Sequence, residues 1–244
     1  MKEANIKCKV LSNNEIAKNI YEITLQGNIS GIPGQFYMVR AWEGLDPFLS
    51  RPLSISDIEG DIIHFVYEVK GKGTKELSSM KTNEVVQLTG PLGNGFIIKE
   101  NMRSAVVSGG IGIAPMIYLL KQNHKMMDMF AGFRAEPYLI DVCNAHSKNL
   151  YVASEEGLGG YKGFVTELIN VEDYDVIYAC GPHPMLEALA EGNKDKAILY
   201  VSMEKYMACG IGGCLGCTIQ TRNGMRRVCK DGPVFEAKEV YFDE

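Results

Sequence analysis

Along the first ninety or so residues, hydrophobic and polar positions alternate in short runs broken by turn-forming residues. The pieces IKCKVLSNNEI, NIYEITLQG, GQFYMVRAW, PLSISDIEG, DIIHFVYEVKG and EVVQLTGPLGNGF are rich in β-branched and aromatic side chains and bounded by Gly, Pro, Asn and Asp, the pattern of consecutive strands. With one short helix predicted over Thr74–Met80, they describe a small antiparallel barrel, closed by Gly90-Pro91-Leu92-Gly93. From Asn101 the texture changes. Buried-type strands are predicted at Arg103–Ser108, Asp128–Arg134, Leu139–Cys143, Leu150–Ser154 and Val176–Cys180, and helices at Met116–Gln122, Gly163–Ile169 and Pro184–Glu191. Strand and helix in alternation mean a parallel sheet covered on both faces.

The cysteines are unevenly distributed. Four of the seven fall in the run Cys209-Gly-Ile-Gly-Gly-Cys214-Leu-Gly-Cys217 and at Cys229 beyond it. Thiolates spaced C-x4-C-x2-C with a fourth further on suit a [2Fe–2S] cluster, in which each iron takes two soft sulfur ligands inside a wrapping loop. Gly210, Gly212, Gly213 and Gly216 lack Cβ atoms, so the backbone can adopt positive φ and turn N–H groups toward the sulfurs. Zinc also accepts four thiolates, but structural zinc sites pair two C-x2-C knuckles, and only Cys214 and Cys217 have that spacing here. The opening MKEANIKCKV carries no apolar leader, which predicts a reducing cytoplasm without persistent disulfides. Cys8 and Cys143 read as small core residues.

Composition narrows the class. A chain of 244 residues accommodates two small domains and an appended module, with boundaries expected at 1–98, 99–200 and 201–244. The 46% hydrophobic share is that of a globular protein, and no apolar run reaches membrane-spanning length. A formal net charge of −5 argues against nucleic acid as a partner. There is no Ser/His/Asp arrangement, H-E-x-x-H run or Walker loop, and His64, His124, His146 and His183 show no ligand spacing.

Five short runs carry candidate chemistry. In Arg51-Pro52-Leu53-Ser54 a guanidinium able to grip a phosphate stands beside a rigid turn and a hydroxyl. Gly71-Lys72-Gly73-Thr74 is a glycine turn entering a helix, which offers N–H groups to a pyrophosphate. Gly109-Gly110-Ile-Gly112-Ile-Ala114-Pro115-Met116 follows a strand and opens a helix, as a dinucleotide cradle does, although Pro115 replaces the third glycine of the usual fingerprint. Ala179-Cys180-Gly181-Pro182-His183-Pro184-Met185 has the same strand-to-helix form, and Cys180 alone reads equally as a buried small hydrophobe. Glu155-Glu156, after a predicted strand, suits ribose hydroxyls and repels a 2′-phosphate, favouring NAD over NADP; a solvated acidic turn is an equal reading.

In this order the runs resemble the ferredoxin–NADP reductase superfamily, which pairs a six-stranded antiparallel flavin barrel with a Rossmann-like nucleotide domain. The resemblance implies FAD contacts at Arg51, Pro52, Leu53, Ser54, Val66, Tyr67, Glu68, Gly73 and Thr74. It implies NAD contacts at Gly109, Gly110, Gly112, Pro115 and Gly181, with Cys180 beside the site of hydride transfer. Tyr67 reads equally as a strand residue in the core. Glu204, just before the cysteine run, is expected to tune or orient the flavin. Nicotinamides exchange two electrons as a hydride and a cluster passes one at a time, so a flavin must stand between them.

The whole chain, most specifically Met207–Phe235 with Cys209, Cys214, Cys217 and Cys229 as cluster ligands, resembles the electron-transfer subunits of bacterial NAD-dependent dihydroorotate dehydrogenases. That family implies an FMN-containing catalytic partner in a heterotetramer of two plus two, with electrons passing to the cluster, to FAD and to NAD⁺ in pyrimidine biosynthesis. The alternative within the same chemistry is the flavin subunit of an NADH-dependent ferredoxin:NADP⁺ oxidoreductase or sulfide dehydrogenase. A non-catalytic scaffold that has lost a cofactor is a further alternative, against which the full cysteine set and both glycine turns argue.

Overall fold

The computed structural model describes residues 4–123 and 126–242; His124 lies outside them. The first part contains β1 (Ala4–Ala17), β2 (Ile20–Gln26), β3 (Phe36–Arg40), β4 (Arg51–Ser54), β5 (Asp57–Glu59), β6 (Ile62–Glu68), helix α1 (Lys72–Ser78) and β7 (Val85–Leu92). All pairings are antiparallel, in the order β4-β3-β7-β1-β2-β6-β5. β4 and β5 are two halves of one strand broken at Ile55–Ser56. Ile55 N–H bonds to the Gln35 carbonyl on one side and Ser56 N–H to the His64 carbonyl on the other, so the sheet closes into the six-stranded barrel. Alternation does the sorting: in β7, Val86 and Leu88 are buried while Val85 and Gln87 face outward.

The second sheet collects β8 (Ser104–Gly109), α2 (Ile113–Gln122), β9 (Met127–Phe133), α3 (Ile140–His146), β10 (Leu150–Ser154), β11 (Tyr161–Lys162), β12 (Val176–Cys180), α4 (His183–Asn193) and β13 (Ile198–Ser202). The remaining strands are β14 (Thr218–Thr221), β15 (Gly224–Arg227) and β16 (Val234–Glu236). Its order is β11-β10-β9-β8-β12-β13-β16, parallel except for β16, while β14 and β15 form a separate hairpin. β8 and β12 are buried along their whole length, as strands covered on both faces must be. Strand order reverses between β8 and β12, so the turns after them flank the crevice where such sheets bind ligands.

Two predicted elements are corrected and one strand is new. Leu139–Cys143 is not a strand: Leu139, at φ 60°, caps α3, which turns Cys143 into the core around α2. The local I-D-V-C alternation imitates a strand, and burial of one helical face overrides it. Gly163–Ile169 is not a regular helix. Gly163 sits at φ +147° and only a single 3₁₀ turn, Val165–Glu167, forms, with the Glu167 carboxylate accepting the Phe164 N–H at 3.1 Å. β13 is a strand that the pattern does not anticipate, and the expected boundary at 200 falls inside it.

Helix α2 faces both units, which is why it is apolar nearly all round, with Ile113–Leu120 buried. Its Tyr118 hydroxyl donates to the Gly31 carbonyl at 3.1 Å, and Lys121 pairs with Asp57 and, at 3.1 Å, with Glu59 of β5.

Candidate functional site

The barrel and the parallel sheet meet at a cleft of about 500 Å³ lined by Arg51–Ser54, Val66–Glu68, Gly71, Thr74, Gly112, Pro115, Cys180 and Glu204 among others. Arg51 reaches it from the start of β4 and is held on three sides. It donates to the Leu49 carbonyl, its guanidinium lies 5.5 Å from the Trp42 ring centroid, and a Cβ on Gly73 would come within 2.8 Å of it. Glycine at 73 is therefore a requirement of the arginine's path. The Thr74 hydroxyl accepts the Lys70 and Gly71 N–H groups at 3.0 and 3.2 Å, fixing the turn before α1. The first N–H groups of that helix are the ones a helix leaves unpaired. Guanidinium and free amides together suit the pyrophosphate of a dinucleotide, so the residues fit FAD.

Tyr67 lines the cleft, but its ring is buried, stacked 5.8 Å from Tyr21, with its hydroxyl donating to Asn13 at 3.0 Å. Cys180 is buried at the end of β12; burial first and the Glu204 charge second push its thiol far up, so it stays protonated. The Glu204 carboxyl is also raised, by desolvation in the cleft and by Glu68, against the opposing pull of Lys70.

A second pocket of about 560 Å³ opens on the other side of the same turns, lined by Gly109, Gly110, Phe133, Arg134, Glu155, Phe164, Pro182 and Met185 among others. The two turns touch so closely that side chains are excluded. A Cβ on Gly112 would strike the Cys180 carbonyl, one on Gly109 would lie 2.6 Å from Pro182, and one on Gly181 would lie 2.8 Å from the Gly109 nitrogen. The two turns thus come together without side chains, Gly112 and Cys180 lining the cleft and Gly109, Gly110 and Pro182 the pocket. Glu155 stands in the pocket and Glu156 does not.

The four cysteine thiols form two neighbouring pairs, Cys209 with Cys214 and Cys217 with Cys229. Among the described residues no three metal-ligating side chains converge on one ion. Two pairs suit a binuclear cluster, each iron taking two thiolates. Burial raises the Cys209 thiol, but N–H groups of Cys214, Ile211 and Gly213 outweigh it and bring it down to about 6. Leu215, at φ 61°, and Gly210 and Gly212, at φ 72° and 81°, wind the loop. The first pair lies toward the surface and the second is buried. The residues fit [2Fe–2S].

The segment Met203–Met207 joins this loop to the flavin cleft and lines it. Lys70, Arg134 and Phe164 also line these sites, Trp42 lies against Arg51, and all four escape a reading of motifs. Trp42 is the only tryptophan in the chain, but a single aromatic has no pattern; its role depends on where the 41–50 loop folds.

A family profile described as the iron-sulfur cluster binding domain of dihydroorotate dehydrogenase B matches residues 204–241. The chain is 42% identical to the dihydroorotate dehydrogenase B (NAD⁺) electron transfer subunit of Clostridium acetobutylicum, over 100% of both chains. It is 42% identical to the subunit of that name from Clostridium perfringens, over 97% and 98%. Among solved structures it is similar to one of an NADH-dependent reduced ferredoxin–NADP oxidoreductase, with a TM-score of 0.85 and 26% identity over 97% of this chain and 90% of that one. A ferredoxin NADP⁺ reductase from Neisseria gonorrhoeae shares the fold, with a TM-score of 0.66 and 15% identity over 85% and 96%.

Proposed function

The chain belongs to the electron-transfer subunits of dihydroorotate dehydrogenase B, and from that premise we propose that it carries electrons from the FMN of a catalytic partner subunit to NAD⁺, by way of a [2Fe–2S] cluster and FAD, in pyrimidine biosynthesis. The observation that carries the reading is the adjacency of the two sites: the same pair of glycine turns lines the flavin cleft at Gly112 and Cys180 and the nucleotide pocket at Gly109, Gly110 and Pro182, and the cysteine loop is tied to that cleft by Met203–Met207. When bound, FAD exchanges a hydride with a nicotinamide and single electrons with a cluster.

The chain's own residues do the rest. Arg51 and the amides at the start of α1 neutralise and orient the FAD pyrophosphate, while Pro52, Leu53, Ser54, Val66 and Glu68 frame its ring system. Gly109, Gly110, Gly112, Pro115 and Gly181 admit the NAD backbone and nicotinamide, and Glu155 accepts the adenosine ribose hydroxyls. Cys180 packs at the meeting point as a neutral thiol, and Glu204 sets the local charge beside the flavin. Cys209, Cys214, Cys217 and Cys229 hold the cluster. The proposed division is a flavin barrel over 1–98, a nucleotide unit over 99–200 and a cluster module over 201–244, with the strand Ile198–Ser202 running across the second boundary. The working unit is two of these chains with two catalytic subunits in the cytoplasm; among the described residues no helix is long and apolar enough to cross a membrane.

The deciding experiment is anaerobic purification of the tagged chain with its partner, followed by an assay of dihydroorotate-dependent NAD⁺ reduction. Activity that disappears when the partner is stripped away supports the reading. A complex that reduces ferredoxin or NADP⁺ and ignores dihydroorotate moves the chain to the second reading, the flavin subunit of an NADH-dependent ferredoxin:NADP⁺ oxidoreductase, which the 0.85 structural match favours.

A further inference from the structure

The sequence singles out the barrel-closing run Gly90–Gly93, and the residue after it does work that barrel closure does not require. Asn94 bonds three consecutive carbonyls in the turn that follows the fourth cysteine. Its backbone N–H donates to the Gly232 carbonyl at 2.6 Å, and its side-chain amide donates to those of Lys230 and Asp231 at 3.2 and 3.0 Å. An exposed asparagine ordinarily leaves its amide to water; here both side-chain hydrogens are committed to the Cys229 turn.

The surroundings are built to the same end. Gly93, at φ +74°, has no space for a side chain, because a Cβ would lie 2.5 Å from Pro233. Gly210, beside the first cysteine, lies equally tight on the barrel, with Met38 2.6 Å from where its Cβ would stand. On the far side, Arg227 grips Asp231 through two bonds of 2.9 and 3.0 Å and donates to the Gly212 carbonyl at 3.3 Å. Pro233 lines the flavin cleft, and its carbonyl accepts the Met203 N–H at 2.9 Å. The route from Cys229 to the flavin wall is therefore four residues of backbone, pinned to the barrel by Asn94 and to the parallel sheet by Met203.

We propose that Asn94 is a positioning residue that clamps the Cys229 turn to the barrel and so sets the cluster's place relative to the flavin. The proposal rests on the functional reading above. Outer-shell partners of this kind typically change metal-site performance by about 10–100-fold when removed.

The test uses the complex with its partner subunit, loaded with FAD and cluster, carrying Asn94→Ala or Asn94→Asp. The second variant keeps the shape and deletes both donors. NADH is expected to reduce the bound FAD at the wild-type rate in both, with iron and sulfide content retained, while dihydroorotate-dependent NAD⁺ reduction slows about tenfold. Amide exchange across residues 229–232 should quicken, and the electron paramagnetic resonance spectrum of the reduced cluster should shift. Wild-type exchange and an unshifted spectrum in both variants would overturn the clamp. Loss of the cluster from both, with FAD retained, would also overturn it, by assigning Asn94 to loop assembly. A wild-type chain that shows no NADH-dependent flavin reduction would sink the functional reading alone, and the exchange measurement would still decide the clamp.

Discussion

At the scale of single residues, burial decides chemistry more than identity does. Cys180 and Cys209 are both cysteines near cofactor sites, yet one is enclosed at a strand end and kept neutral, while the other receives backbone N–H groups and falls to about 6. Glu204 yields a prediction. Desolvation raises its carboxyl, against the opposing pull of Lys70. Glu204→Gln removes the carboxylate charge. It should raise the flavin midpoint potential at neutral pH by roughly 20–30 mV, equivalent to about 1 kcal/mol for a two-electron couple, and flatten its pH dependence; spectroelectrochemistry at several pH values measures both. The stability sign agrees. A carboxyl raised on folding contributes stability only while protonated and loses it as pH climbs, so Glu204→Gln should be no less stable than wild type above neutrality.

At the scale of elements, α2 is the part on which the two halves depend. Its first turn borders the flavin cleft, and its other end is tied to the barrel through Lys121, whose partner Asp57 is only 4% exposed. Lys121→Met leaves that carboxylate unpaired and should destabilise the protein by about 2–3 kcal/mol, less than a fully buried pair because the lysine stays partly in solvent. Adding Asp57→Asn should recover much of the loss, which a double-mutant cycle in urea would show. Elements are also where local pattern misled. Residues 139–143 alternate like a strand and fold as a helix, because a helical face could bury Cys143 against α2. The glycine at 163 permits the tight turn that replaces the helix predicted there.

At the scale of the molecule, the flavin cleft and the nucleotide pocket are each assembled from several segments, while the cluster ligands lie within 209–229. Cys214→Ser should bleach the cluster's visible absorption and abolish dihydroorotate-dependent NAD⁺ reduction in the complex, while NADH-driven reduction of FAD stays within about twofold of wild type, since that step uses only the barrel and the parallel sheet. Stopped-flow absorbance and iron analysis separate the two outcomes.

The amino-acid sequence by itself determined the classes of element and the donor sets. Period-two alternation specifies a barrel, strand–helix alternation a parallel sheet, and four thiols with glycine between them a cluster loop, because these depend on spacing along one chain. Tertiary structure alone decided what meets what. Gly73 beside Arg51, Gly112 beneath Cys180 and Asn94 on the Cys229 turn join residues far apart in sequence. Such contacts leave no periodic trace, since closing the barrel and packing α2 between the sheets fix them only when the whole chain has folded.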